Sequence, residues 1–319
     1  MNITGTFVQP LCGGDIPVMN WQEKEWDLSM ALMKRMGVDT IILLRQALGK
    51  WLAYKSDYLM KVEGCFAPSY DYMDMFLRLA EKHGMKMFVP TYSPWHDWLT
   101  PEYDPQKEFK HFKPLVDEIQ ERYGNHPAFA GWYMAQEISG ADSYKVIELF
   151  QKLAPYCKSI SNNLPVLMSP GMRGMKCMSN SVPYEKRKAF ALTPEQHAQQ
   201  WDQLMTGLEG VVDIVAFQDG HVDFEDLEDY QKANVELGRK HGLEMWSNVE
   251  LFDRDTSFPT FPPIGWEKLL LKLKTATRTG LQKLISYELV PFMCRNSAYP
   301  TAETLLTRYC EYAGISLDK

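Results

Sequence analysis

The feature that most narrows the fold is a junction that occurs four times, in which a polar helix end runs into glycine and then into an apolar strand: RMGVDTIILL, EKHGMKMFVP, RKHGLEMWSN and RTGLQKLISY. Gly37, Gly84, Gly242 and Gly280 stand where a chain leaving a helix needs the left-handed conformation, which a residue without a Cβ adopts at little cost. Arg35, His83 and His241 come just before three of them, where the negative end of the helix dipole favours a cation. Each junction therefore marks a step from helix to strand.

Filling the intervals places strands near residues 3–9, 38–45, 85–92, 129–137, 165–169, 212–219, 243–250 and 283–290. The stretches between them have helical periodicity. Val146, Leu149, Phe150 and Leu153 follow the i, i+3, i+4, i+7 pattern, and so do Met73, Phe76, Leu77 and Ala80. Strict alternation of strand and helix requires parallel strands with right-handed crossovers, which both a closed barrel and an open doubly wound sheet satisfy. No glycine-rich phosphate loop follows the first strand, and eight units are the number that closes a barrel. The predicted fold is α/β, a single (β/α)8 TIM barrel forming one domain over residues 1–319.

Bulk properties agree with one barrel and limit its partners. The 319 residues are 45% hydrophobic and 24% charged, close to globular averages. A net charge of −7 argues against the clustered basic surface that nucleic acid or an anionic membrane demands, and a neutral or small-molecule ligand fits better. Nine tryptophans and 13% aromatic content suit sugar faces as well as packing. The six cysteines contain no CxxC pair, so neither a zinc site nor a disulfide framework is expected, and no cofactor is implied. No run of about 18 apolar residues is present to span a membrane. The first twenty residues lack a secretory pattern, so the chain as written reads as cytoplasmic. A processed signal would leave the same sequence in a periplasmic or secreted protein. Oligomeric state is left open.

In such a barrel the working groups lie at the C-terminal strand ends. The fourth strand ends GWYMAQEIS, with Tyr133, Ala135 and Glu137 alternating onto one face; the seventh ends LEMWSNVELF, with Trp246, Asn248 and Glu250 on one side. A carboxylate at the end of a buried strand is costly unless it is used or paired. The sixth strand ends with Gln218, Asp219 and His221, where Asp-Gly is also a strong turn former. Further candidates are Gln9, Arg45, Tyr92, Trp95, His96, Ser169, Tyr287 and Glu288, with Trp51 and Trp98 available for stacking. Arg45 could orient a carboxylate through two hydrogen bonds. Arg173, Lys176 and Tyr184, between the fifth and sixth strands, form either a rim for an acidic sugar or a solvated loop.

With glutamates after strands four and seven, the chain resembles the large clan of (β/α)8 retaining glycoside hydrolases. The segments GTFVQP, GWYMAQE and FQDG are similar to an uncharacterised family of glycosidase-like barrels common in gut bacteria. The resemblance implies Glu137 as acid/base and Glu250 as nucleophile. Many clan members have Asn before the acid/base, where it binds the sugar 2-hydroxyl; here the residue is Gln136, whose amide lies one carbon further out. The expected reaction is hydrolysis of a glycoside through two carboxylates, with retention if they stand about 5 Å apart and inversion if loops hold them about 7 to 9 Å apart; transglycosylation is open to the same groups. Three other readings compete: a metal-dependent sugar isomerase or epimerase using Glu137, Asp219, His221, Glu250 and Glu288; a barrel that binds sugar without cleaving it; and a structural role in which either glutamate caps a loop or pairs with an arginine.

Overall fold

In the computed structural model, which describes residues 1–317 apart from 14, 15, 18, 95–97, 99, 179, 180 and 257–260, eight parallel strands close into one barrel. The strands are β1 (Ile3–Val8), β2 (Thr40–Leu43), β3 (Lys86–Pro90), β4 (Phe129–Met134), β5 (Val166–Met168), β6 (Ile214–Gln218), β7 (Glu244–Glu250) and β8 (Lys283–Tyr287). Closure is made by β1, in which Gly5 faces Thr40 of β2 while Thr6 faces Ser286 of β8. Each strand falls inside its predicted window. The windows overrun mainly at the C-terminal ends, where the chain leaves the ladder for the site loops.

The principal helices after each strand are α1 (Glu23–Arg35), α2 (Tyr72–Lys82), α3 (Pro105–Tyr123), α4 (Tyr144–Ile160), α5 (Pro194–Thr206), α6 (Leu227–His241), α7 (Trp266–Thr279) and α8 (Ala302–Ala313). Local chemistry starts and stops them. Asp71 accepts the Asp74 N–H at 2.9 Å to begin α2, and Thr193 forms a capping box with Gln196 at α5. The four junction glycines have φ of +91°, +62°, +68° and +85°, the left-handed values their helix ends require.

Two apolar layers hold the molecule together. The larger lies between sheet and helices; the smaller fills the barrel with Phe7, Ile42, Phe88, Tyr133, Leu167, Trp246 and Ile285 among its residues. Tyr133 and Trp246 on the inner face establish which side of β4 and β7 points into the barrel. Gly131 lets the Phe88 ring lie against the β4 backbone, where an added Cβ would collide with it. The six cysteines are free thiols. Among the described residues, no helix is long and apolar enough to cross a membrane.

Candidate active site at the barrel mouth

At the end of β7, Glu250 is almost wholly buried and receives both Arg254 donors, Nε at 2.6 Å and Nη2 at 2.7 Å. Arg254 lies near the rings of Phe252 and Phe261, 5.1 and 5.5 Å from their centroids. Burial pushes the Glu250 carboxyl up, but the charge and hydrogen bonds of Arg254 outweigh it, aided by His221 and Lys272, and the group is pulled down to about 2. The Glu250 N–H donates to Asp219 Oδ1 at 2.9 Å, and its carbonyl accepts from Lys272 of α7 at 3.1 Å. Lys272 also donates to Asp219 Oδ1 at 2.7 Å, a buried pair that ties β6 and β7 to the helix behind them. Gly220 makes room for the carboxylate: a Cβ there would overlap Glu250 Oε2.

His221 completes this side of the mouth. Its Nδ1 accepts the Met172 N–H at 3.2 Å, and its Nε2 stands 2.9 Å from Arg254 Nη2 and 3.8 Å from Glu250 Oε1. Burial, reinforced by Arg254, pulls the ring down to about 4, so His221 is neutral at pH 7.

Beyond Met134, Ala135 and Glu137 line a cleft of about 360 Å³ together with Leu44, Arg45, Tyr92 and Trp98. Glu137 is exposed at this cleft, with the cleft wall crowding its carboxyl. Enclosure pushes its carboxyl above the usual range; Arg45, Arg254 and a hydrogen bond to Gln218 oppose the shift, and the charge of Glu250 adds to it. Glu137 and Glu250 thus interact electrostatically across the mouth, and their environments drive them in opposite directions.

The other predicted residues divide between the cleft and its supports. Tyr92 lines the cleft and donates to Glu63 Oε2 at 2.7 Å. Gln218 donates to the Ser169 carbonyl at 3.0 Å, and Asn248 to Ser169 Oγ at 3.0 Å. Tyr287 reaches Gln9 Oε1 at 3.4 Å. Glu288 is fully buried with neither carboxyl oxygen hydrogen-bonded, which pushes it well above the usual carboxylate range. Gln136 is not brought to the cleft: it is buried and donates to the Tyr92 carbonyl at 2.8 Å, because the residue next to Glu137 points to the opposite face. Trp95 and His96 lie outside the described residues. Trp51 is exposed and packs edge-on against Phe66 away from the cleft, whereas Trp98 is part of its lining. Tyr184 is exposed, Arg173 pairs with Asp142, and Lys176 pairs with Asp255 at 3.1 Å.

Sequence reasoning missed Arg254, Lys272, Lys50 and Glu63. Arg254 carried one signal, its place four residues after a strand-end glutamate. Lys272 sits on a helix like any surface lysine, and only packing reveals its reach into the barrel. Arg45, expected to orient a carboxylate through two hydrogen bonds, makes none among the described residues: it acts on Glu137 through its charge alone, and the two-bond contact is made by Arg254 on Glu250.

A family model described as domain of unknown function (DUF4434) matches residues 3–302. The chain belongs to this family. A solved structure from Bacteroides thetaiotaomicron VPI-5482, titled a putative alpha-L-fucosidase, is 40% identical over 99% of this chain and 94% of its own, with a TM-score of 0.90. A xylanase from Cellvibrio japonicus shares the fold at a TM-score of 0.52 and 10% identity, covering 90% of this chain and 86% of that one. A mannan endo-1,4-beta-mannosidase F from Aspergillus clavatus is 25% identical over 130 residues, 36% of this chain; the match spans only 30% of that protein's length. The chain is a glycoside hydrolase-like barrel.

Proposed function

We propose that this protein is a retaining glycoside hydrolase in which Glu250 is the nucleophile and Glu137 the acid/base. The observation carrying the proposal is the divergence of two carboxyls at one barrel mouth, Glu250 held ionised by Arg254 and Glu137 raised by enclosure in an open cleft. Glu137 protonates the leaving glycosidic oxygen while Glu250 attacks the anomeric carbon. Glu137, then ionised, takes a proton from the water that releases the sugar. Attack requires one oxygen of Glu250 to be freed from Arg254, which stays bonded to the other oxygen as the carboxylate charge is consumed in the glycosyl ester. The relatives' names, fucosidase, xylanase and mannosidase, support a carbohydrate substrate without choosing its sugar.

A metal-dependent isomerase has less support, since among the described residues no group of three His, Cys, Asp or Glu side chains could hold a metal ion. Asp219 is taken by Lys272 and Glu250 by Arg254. The test is turnover of a panel of aryl glycosides by the wild type, Glu137→Gln and Glu250→Gln, with the anomer of the first product read by NMR. Loss of at least about 1,000-fold in E250Q with retained configuration is expected. An E250Q variant with wild-type turnover, or an inverted product, overturns the assignment. Binding of glycosides that are never cleaved would favour the noncatalytic barrel.

A further inference from the structure

Among the described residues, two cations line the cleft without a carboxylate in salt-bridge contact. Arg45, at the end of β2, makes no hydrogen bond or ion pair among the described residues, although it lines the cleft beside Glu137. Lys50, in the turn of the hairpin formed by Ala47–Leu48 and Trp51–Leu52, lines the same cleft and donates to the Glu63 backbone carbonyl. The Glu63 carboxylate is engaged elsewhere, accepting from Tyr92 at 2.7 Å and meeting His111 Nε2 at 2.8 Å. Glu137 and Glu288 lie in the field of Arg45, but neither forms a hydrogen bond or ion pair with it among the described residues, so the donors of its guanidinium are not taken up by either acid.

A guanidinium in a concave site with no hydrogen-bonded carboxylate is unusual in a protein whose net charge is −7, because long-range repulsion works against anionic ligands unless the site itself reverses the sign. Basic residues elsewhere on this face are neutralised, Arg173 by Asp142 and Lys176 by Asp255 and Asp223. Arg45 and Lys50 are not. The planar fork of Arg45 matches two oxygens of a carboxylate or sulfate, and Lys50 supplies a second, mobile charge.

We propose that the cleft takes a sugar bearing an oxyanion, a uronate carboxylate or a sulfate ester, bound by Arg45 with Lys50 beside it. The proposal deepens the glycoside hydrolase reading and rests on it for the sugar. It places the charged unit next to Glu137, within one or two sugar rings of the bond to be cleaved.

The test is ligand-observed NMR titration of the wild type, Arg45→Gln and Lys50→Gln with D-glucuronate, D-galacturonate, glucose 6-sulfate, L-fucose and D-mannose. The same titrations are repeated with added salt. Charged sugars should bind the wild type at least about tenfold more tightly than neutral ones, more weakly as salt rises, and R45Q should erase the difference. Comparing the uronates with the sulfate ester identifies the anion. Equal or tighter binding of L-fucose or mannose overturns the proposal, as does undetectable binding of every charged sugar or an R45Q variant that keeps the preference. The wild-type ranking decides the question even if a variant folds poorly. Turnover separates the two readings: a protein that prefers uronates but cleaves no glycoside loses the hydrolase assignment alone, and one that cleaves neutral glycosides without a charge preference loses only this inference.

Discussion

Glu250 has a guanidinium on both carboxyl oxygens, and Glu137 has the cleft wall around it; that contrast predicts the pH profile of turnover. Catalysis needs Glu250 ionised and Glu137 protonated. Activity should therefore stay level down toward about 2 on the Glu250 side, until the fold itself fails, and fall as pH rises through the elevated pKa of Glu137. In E137Q, assayed with leaving groups that need no acid, the alkaline limb should vanish from the glycosylation rate; an unchanged limb would show that another group controls it. Glu288 makes a separate prediction about stability. Its folded pKa is raised well above 4.5, so its contribution is fully present below that value and is lost as pH rises toward the folded pKa. Stability measured by urea unfolding should fall with a slope of up to about 1.4 kcal/mol per pH unit from this group, and Glu288→Gln should remove that component. Glu137 and Glu250 were legible as candidates because strand-end position and alternation are sequence properties. Their partners were not, since Arg254, Lys272 and Arg45 owe their roles to side-chain directions in loops and across helices.

The elements around the site are joined by the buried Asp219–Lys272 pair, which links the end of β6 to α7 and lies against the backbone of β7. Replacing Lys272 with Met leaves Asp219 buried without its cation and should cost about 3–5 kcal/mol in urea unfolding. Adding Asp219→Asn should recover part of that loss, because Asn still accepts the Glu250 N–H. A K272M protein as stable as the wild type would show that solvent reaches Asp219. The Asp-Gly at 219–220 was readable as a turn, and it does enter a short turn of helix after β6, but the turn also opens space for the Glu250 carboxylate. Strand and helix existence could be read from periodicity and glycine, whereas strand ends could not. Hydrogen bonding to a neighbour, absent from any single segment, decides where β4 stops at Met134 rather than at Glu137.

At the scale of the whole molecule, the barrel depends on an interior layer whose members come from different strands. Phe88 of β3 packs over Gly131 of β4 and meets Trp246 of β7 edge-on across the interior, with centroids 6.3 Å apart. Phe88→Ala should cost about 3–5 kcal/mol by urea unfolding, because the closed wall cannot collapse onto the void. A loss below about 1 kcal/mol would mean that the interior relaxes to fill it. Four helix-ending glycines, period-3.6 helices and eight apolar segments determined the (β/α)8 order by themselves, since backbone conformation and amphipathicity are local. Tertiary structure alone decided which cation serves which acid: Arg254 on Glu250, Lys272 on Asp219, and Arg45 left facing the cleft. Coulomb attraction and desolvation depend on distances across the closed barrel, and residues far apart in the chain acquire those distances only when β1 meets β8.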